Sequence, residues 1–316
     1  NGYRKIMKDL TTELKKLEIE TLDNLKLSKA KNTIRAYKSD FNDFALFCSK
    51  HSMKSMPTEP KIVSLYLTHL SKHSKYSTLK RRLASINVMH KYKGYYLDTK
   101  HPIIVENLIG IKRQIGVHQK AKKPLLFNDL KQLVRVISES SISNEKKLRD
   151  KALILIGFYS FCRRSELLGM QFEHLHFSDD GVQVLIPYSK TDQTGQGRMI
   201  FLPQTKDSYC PVKALNHWLE IAMIQKGPLF YKVNKSNTIE KYTMSYKNQK
   251  VSLNDSSFVL ILKKRALAAG LENCDKISGH SLRIGSITQA RMNGVPTYEI
   301  MAQSGHKTTQ MIDRYT

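Results

Sequence analysis

Acid is in short supply in this chain. Its 316 residues hold 27 Asp and Glu against 52 Lys and Arg, a formal charge of +25 at neutral pH. Cysteine is also sparse: Cys48, Cys162, Cys210 and Cys274 stand far apart, with no CxxC pair and no zinc-like spacing. That argues against a disulfide scaffold or zinc module, and for reduced core thiols in an intracellular protein. No apolar run approaches the roughly 20 residues of a membrane span, and no secretory apolar segment opens the chain. Internal repeats and low-complexity tracts are missing too. Wholesale disorder is excluded because 41% of the residues are hydrophobic and can supply buried cores. The length exceeds that of a small module and suits two domains. Asn1 in first position implies a native start further upstream.

The positive charge is spread along the chain. Residues 1–120 carry 24 basic against 10 acidic side chains, and residues 121–316 carry 28 against 17. Both halves call for an anionic partner, and nucleic acid is the natural one, since each neutralised phosphate releases counterions and adds affinity. The plain alternative is a lysine-rich proteome, for 38 of the 52 basic residues are lysines.

Apolar residues recur at helical spacing from Thr33 to Lys50 (Ile34, Tyr37, Phe41, Phe44, Cys48), with Asn32 or Thr33 as cap. After the turn MPTEP, a second helix is expected over Lys61–Lys72 and a third from Ser77. The third would bury Leu79, Leu83, Ile86 and Met89 and offer Lys80, Arg81, Arg82, Ser85, Asn87 and His90 outward. Between Pro60 and Leu97 no acid occurs while Lys and Arg occur eight times, which reads as a phosphate-facing surface rather than an ordinary mixed-sign face. From Gly110 to Pro124 the apolar period fades and the chain turns basic, including Lys120, Lys122 and Lys123. The expected division is residues 1–112, a basic linker 113–124, and residues 125–316.

The second part opens with helices near Asn128–Ser138 and Lys146–Phe161. Gly181–Tyr188 alternates as a strand, TDQTGQG turns, and Arg198–Leu202 returns. Cys210–Lys226 is a helix carrying the single tryptophan, Trp218. Another runs to Ala269 from a cap at Asn254, Asp255 or Ser256, with Ser257 in its first turn. Ser281–Asn293, Thr297–Ser304 and Thr308–Tyr315 are short and helical in period. The fold class expected is mainly α with a small antiparallel sheet.

Breaking a nucleic-acid backbone without metal requires cations on the non-bridging oxygens, a nucleophile, and a proton for the departing oxygen. Arg163 and Arg283 can clamp the phosphate, because guanidinium is always charged and bonds two oxygens at once. His280 and His306 can hold or move protons, Lys190 can protonate the leaving group, and Tyr315 can attack. With an ordinary pKa near 10, that tyrosine needs neighbouring cations or a base. Each piece also has a plain reading: a surface arginine pair in FCRRSELL, a common lysine, core histidines, a packed tyrosine.

The order of the pieces carries more than any one of them. R-x-x-E, then K in a hairpin, then H-x-x-R, H and Y resembles the tyrosine recombinases, or phage-integrase family. FCRRSELLGM resembles its first arginine motif, with Arg163 as clamp and Glu166 as supporting acid. SKTD before a Gly-containing turn resembles its lysine hairpin, SGHSLRIGS its histidine–arginine motif, and SGHKTTQMIDRYT its closing segment. Residues 30–94 are similar in pattern to its helical core-binding domain, and YCPVKALNHWL to a helix of its catalytic domain. SGHSLRIGS followed by NGVPTYEIMAQSGH is similar to the Cre-type members, although at His306 Cre itself carries tryptophan.

The resemblance implies a two-domain clamp on double-stranded DNA, with a helical core-binding domain and an α+β catalytic domain. It also implies a 3′-phosphotyrosine intermediate at Tyr315, a homo-tetramer on two inverted-repeat sites and a Holliday junction, with no metal, ATP or other cofactor. Cytoplasmic, nucleoid-associated placement follows if the host is a prokaryote or phage. Family members usually continue beyond the tyrosine into a tail, whereas here one residue follows Tyr315. A type IB topoisomerase and a DNA-binding protein with a decayed site are the alternatives. An RNA-binding protein lacks support, for no RNP-like aromatic strand motif is present.

Overall fold

The computed structural model describes residues 13–17, 20, 31–116, 123–187, 197–241 and 252–313. The chain divides into two compact units, Asn1–Gln119 and Lys120–Thr316, each with an apolar core.

The described part of the first unit is helical: α1 (Lys31–Lys50), α2 (Pro60–Ser71), α3 (Tyr76–Tyr92) and α4 (Pro102–Ile115). Pro60 and Pro102 open their helices in the first turn, where a missing N–H costs nothing. α1 buries Asp40, Phe44 and Cys48 at intervals of four, one face of a helix. Phe44 meets Tyr66 of α2 edge-on with ring centroids 5.1 Å apart, and Leu67, Leu79, Ile86 and Ile104 close the core.

Two expectations are corrected here. α4 was not foreseen, and residues 110–115 are its last turns rather than the start of a linker. Ile104, Leu108 and Ile111 hold it to the core, and Gly110 lies on its open side. On α3, Lys80 and Arg81 are exposed, but Ser85 and His90 are fully buried. Ser85 Oγ donates to Asp40 Oδ2 (2.7 Å), and His90 Nε2 accepts from the Thr58 amide (3.1 Å). Neither faces outward. For Ser85 the cause is Asp40, which α1 carries beneath the basic stripe, where it also pairs with Arg81 and Arg82; for His90 it is the Thr58 amide and the Ile86 carbonyl (2.8 Å from Nδ1).

In the second unit, α5 (Phe127–Glu139), α6 (Asn144–Tyr159) and α7 (Arg164–Leu168) lead into a three-stranded antiparallel sheet. Its strands are β1 (Leu175–Ser178), β2 (Gly181–Ile186) and β3 (Arg198–Pro203), in that order. Val184 of β2 stands opposite Leu175 on one side and Ile200 on the other. α8 (Pro211–Ile221), a short hairpin of β4 (Lys232–Val233) and β5 (Ile239–Glu240), and α9 (Asp255–Ala268) follow. The described chain closes with α10 (Ser281–Met292), α11 (Thr297–Ser304) and α12 (Thr309–Asp313). The expected helices and the β2–β3 pair are present, while β1 and the second hairpin are additions. The architecture is mainly α with small antiparallel sheets.

α6 is the central helix: Ala152 to Phe158 are all buried, and it packs on α5, α8 and α10. α10 approaches closely through two glycines. A Cβ on Gly157 would lie 2.8 Å from Leu282 Cδ1, and one on Gly285 only 1.7 Å from the Leu125 carbonyl oxygen. Fully buried Asp150 bonds Arg149 (2.6 Å) and Arg265 (2.8 Å), tying α9 to α6. Among the described residues no helix is long and apolar enough to cross a membrane.

Candidate active site

The R-x-x-E motif becomes geometry at the start of α7. Arg163 is the N-cap and Glu166 the third helical residue, so the carboxylate reaches back along the turn. Glu166 Oε2 accepts the Arg163 amide (2.9 Å), and Oε1 accepts Arg163 Nη1 (2.7 Å). The spacing of three is what lets one acid orient both backbone and guanidinium of the same arginine.

Two further arginines reach the same carboxylate. Arg198, the first residue of β3, donates through Nη2 to Glu166 Oε2 (2.9 Å) and to Cys162 Sγ (3.6 Å). Arg283, in the first turn of α10 and 3% exposed, stands 4.0 Å from Oε2. Its Nη1 donates to the Phe161 carbonyl (2.6 Å). Phe161 holds a left-handed conformation (φ 54°) two residues before Arg163, an uncommon state for a bulky residue.

His306 completes the cluster. Arg283 Nη2 lies 3.0 Å from Nε2, and Ser304 Oγ lies 2.8 Å from Nδ1. Nη2 also lies 3.4 Å from Nδ1; the shorter contact assigns Nε2 as the acceptor and Nδ1–H as the donor to Ser304. Burial, then the charges of Arg283, Arg163 and Arg198, push the imidazole from 6.5 down to about 4, which keeps it neutral at physiological pH. Glu166 moves the other way in charge. Burial alone would raise its carboxyl, but the Arg198 bond and the Arg163 bonds outweigh it and hold the group below the usual carboxylate value. The Cys162 thiol is raised to about 11 by burial, so its contact with Arg198 adds no charge. Three guanidiniums therefore surround one carboxylate and a neutral imidazole, an arrangement able to bind an oxyanion with in-plane donors.

The remaining expected residues fall around this cluster or beyond the described chain. His280 is exposed at the N-cap of α10, one turn before Arg283. Gly279 before it packs on Arg164, where a Cβ would lie 2.6 Å from Cδ. Lys190, Tyr315, Lys120 and Lys122 lie outside the described residues. α12, which leads toward Tyr315, is anchored by fully buried Ile312 and by Arg291 Nη1 donating to the Ile312 carbonyl (3.0 Å). Lys123 Nζ donates to the Glu272 carbonyl (2.8 Å). Asn254 Oδ1 caps α9 through the Ser257 amide (2.8 Å), Ser256 is exposed, and Asp255 pairs with Arg164 (2.8 Å). Among the described residues no group of three or more His, Cys, Asp or Glu is placed to hold a metal.

Arg198 was missed by sequence reasoning. Its signal was present: in β3 it shares the period-2 phase of buried Ile200 and Leu202, and an arginine on the inward phase of a strand needs a buried partner.

Residues 123–316 match the phage integrase family, and residues 3–94 match the phage integrase N-terminal SAM-like domain. An integrase/recombinase XerD homolog of Selenomonas ruminantium is 34% identical over 304 residues, covering 95% of this chain and 85% of that protein. The tyrosine recombinase XerC of Thermodesulfovibrio yellowstonii is 24% identical, covering 93% and 89%. Among solved structures, the XerH site-specific recombinase bound to palindromic difH substrate superposes with a TM-score of 0.61 at 17% identity, covering 82% of this chain and 69% of that one. A lambda integrase dimer bound to a core site does so with 0.54 at 14% identity, covering 91% and 72%. At such identities the likeness speaks for the fold.

Proposed function

Because the chain belongs to the phage integrase family, the tyrosine recombinases, we propose that it cuts and rejoins double-stranded DNA at specific sites through a 3′-phosphotyrosine intermediate. The observation that carries this reading is the Glu166-centred cluster, where Arg163, Arg198 and Arg283 converge.

In the proposed reaction the scissile phosphate lies on Arg163 and Arg283. The Tyr315 hydroxyl attacks phosphorus, the bond to the 5′-oxygen breaks, and a phosphotyrosine ester forms as the 5′-hydroxyl leaves. The phenol loses a proton and the leaving oxygen gains one. Lys190 is assigned the second transfer; His280 and His306 are assigned to hold or move the first proton, His306 also orienting Arg283. One phosphoester replaces another, so the bond energy is kept and neither ATP nor metal is required. Attack by the 5′-hydroxyl of a partner duplex reverses the step and exchanges strands. Four protomers on two inverted-repeat sites, acting two at a time through a Holliday junction, complete the proposal.

The two units are assigned to two DNA-binding domains; of the expected linker 113–124, residues 113–115 belong to the end of α4. Lys80, Arg81, Asn87, Lys120, Lys122, Lys123, Asn254, Ser256 and Ser257 are assigned to the DNA surface. Buried Ser85 is withdrawn from that set, and Arg82 is shared with Asp40 and Asp43. The recombinases of similar fold that are bound to DNA support the substrate class.

Covalent trapping tests the proposal. Nicked duplexes from the DNA flanking the gene are incubated with the protein and denatured in detergent. An adduct that Tyr315→Phe abolishes is expected. Tight binding without any adduct would favour an architectural DNA-binding role.

A further inference from the structure

Arg198 lies 35 residues beyond Arg163 and belongs to none of the motifs that suggested the reaction, yet its guanidinium sits at the centre of the cluster. It touches three things at once. Nη2 bonds Glu166 Oε2 at 2.9 Å, the same oxygen that accepts the Arg163 amide. Its contact with Cys162 Sγ reaches the residue preceding the clamp. Its flat face lies under Gly305, the residue before His306: a Cβ there would stand 3.0 Å from Arg198 Cζ. Gly305 has φ +69°, a conformation glycine adopts without strain, and it lets the backbone rest on the guanidinium plane.

The strand that carries Arg198 is itself fastened to the helix before His306. β3 is an edge strand, and the Gln303 side chain of α11 serves as its missing partner. Gln303 Oε1 accepts the Phe201 amide (3.1 Å), and Nε2 donates to the Phe201 carbonyl (2.8 Å) and the Tyr159 carbonyl (3.0 Å). β3 thus meets the R-x-x-E turn on one side and the loop of His306 on the other, with Arg198 at the junction.

We propose that Arg198 is a positioning residue: by holding Glu166 and seating Gly305, it sets Arg163 and His306 in register around the phosphate site. It acts through those neighbours rather than by chemistry of its own. An arginine suits the task because one planar fork can bond a carboxylate edge-on while presenting its face to a backbone turn. The consequence for activity rests on the recombinase reading above; the consequence for Glu166 does not.

The charged and titratable groups facing Glu166 are Arg163 at the start of α7, Arg198 on β3 and Arg283 on α10, with Cys162 before the motif and His306 after α11. Removing Arg198 takes away the strongest opposition to burial, so the Glu166 carboxyl must rise. Its depressed folded value stabilises the protein above the ordinary carboxylate pKa, and that contribution fades as pH falls.

Two measurements on the full chain decide the matter. In thermal unfolding against pH, without DNA, Arg198→Met is expected to move the acid limb to higher pH. The upward shift should vanish when Glu166→Gln is already present, leaving only the smaller, opposite change from His306 as it loses the Arg198 charge. An unmoved limb, or an equal shift in both backgrounds, overturns the proposal. In covalent trapping at saturating nicked duplex, Arg198→Met is expected to slow adduct formation about tenfold or more while leaving Kd within about threefold. Arg198→Lys, which keeps the charge but loses the fork, should recover part of the rate, and it serves in both arms if Arg198→Met fails to fold. A wild-type rate in Arg198→Met overturns the proposal. Failure of the wild type itself to form any adduct would refute the recombinase reading, and the unfolding arm would still decide the role of Arg198.

Discussion

Among the described residues, the Asp40 cluster of the first unit and the Glu166 cluster of the second both bury a carboxylate among arginines, and the sums of their charges differ. In the first unit Asp40 meets Arg81, Arg82 and the Ser85 hydroxyl, while Asp43 meets Arg82 (3.4 Å) and the Tyr66 hydroxyl (2.6 Å). Two acids balance two bases, and the result fastens α1 to α3. In the second unit Glu166 meets Arg163, Arg198 and Arg283 beside a neutral His306. Three bases share one acid. Gathering like charge in a partly closed site is costly unless an anion arrives to use it. A basic stripe in the sequence can therefore be spent inside the fold, as can the pair Arg149 and Arg265 on Asp150, whereas three guanidiniums around Glu166 beside a neutral imidazole are read as a place for phosphate.

The largest expected effect tests the balanced cluster. Asp40→Ala strips two arginines of their buried partner and should cost roughly 3–5 kcal/mol of stability, toward the lower end because Arg81 is half in water. Denaturant unfolding measures it. A variant as stable as the wild type, with tighter DNA binding, would mean that the stripe serves DNA after all.

Next comes the surplus cluster. Arg283→Ala should lower single-turnover cleavage by about 10²–10³-fold, the loss of roughly 2.7–4 kcal/mol typical of a preorganised transition-state donor. Arg283→Lys keeps the charge yet loses the fork to Phe161 and His306, so only partial recovery is expected.

The state of His306 sharpens the contrast. Its folded pKa, near 4, lies below the ordinary 6.5, so the unfolded chain takes up that proton first. The associated stability is present above pH 6.5 and lost as pH falls through 4. Ring-nitrogen NMR should show a neutral, Nδ1-protonated imidazole from pH 8 down to about 5. An imidazolium at pH 6 would contradict the charge assignment.

The smallest effect belongs to an exposed lysine. Lys80→Ala should weaken DNA binding nearly uniformly across sequences and reduce the slope of log K against log salt by about one. The adduct rate at saturation should not change.

Of the motif residues, Arg163, Glu166, Arg283 and His306 come together as their order suggested, because each type is demanded by chemistry and the order survives in one dimension. R-x-x-E in particular encodes its own geometry, an N-cap and the third residue of one helical turn. What the sequence hid was partnership across distance. Ser85 belongs by helical period beside exposed Lys80 and Arg81, and only Asp40, 45 residues earlier, explains its burial. α4 was obscured by Gly110 and the basic residues near its end, although Ile104, Leu108 and Ile111 have helical spacing. Arg198 read as the first residue of a strand, since neither Glu166 nor Gly305 adjoins it in sequence.

The most direct test of the contrast is single-turnover adduct formation at saturating DNA, with Arg163→Ala and Arg82→Ala side by side and the folded fraction of each measured. Arg163→Ala should lose about 10²–10³-fold in rate while Arg82→Ala, once folded and bound, stays within about threefold of the wild type. Equal losses, or a larger loss in Arg82→Ala, would contradict the division between a balanced structural cluster and a phosphate-binding one.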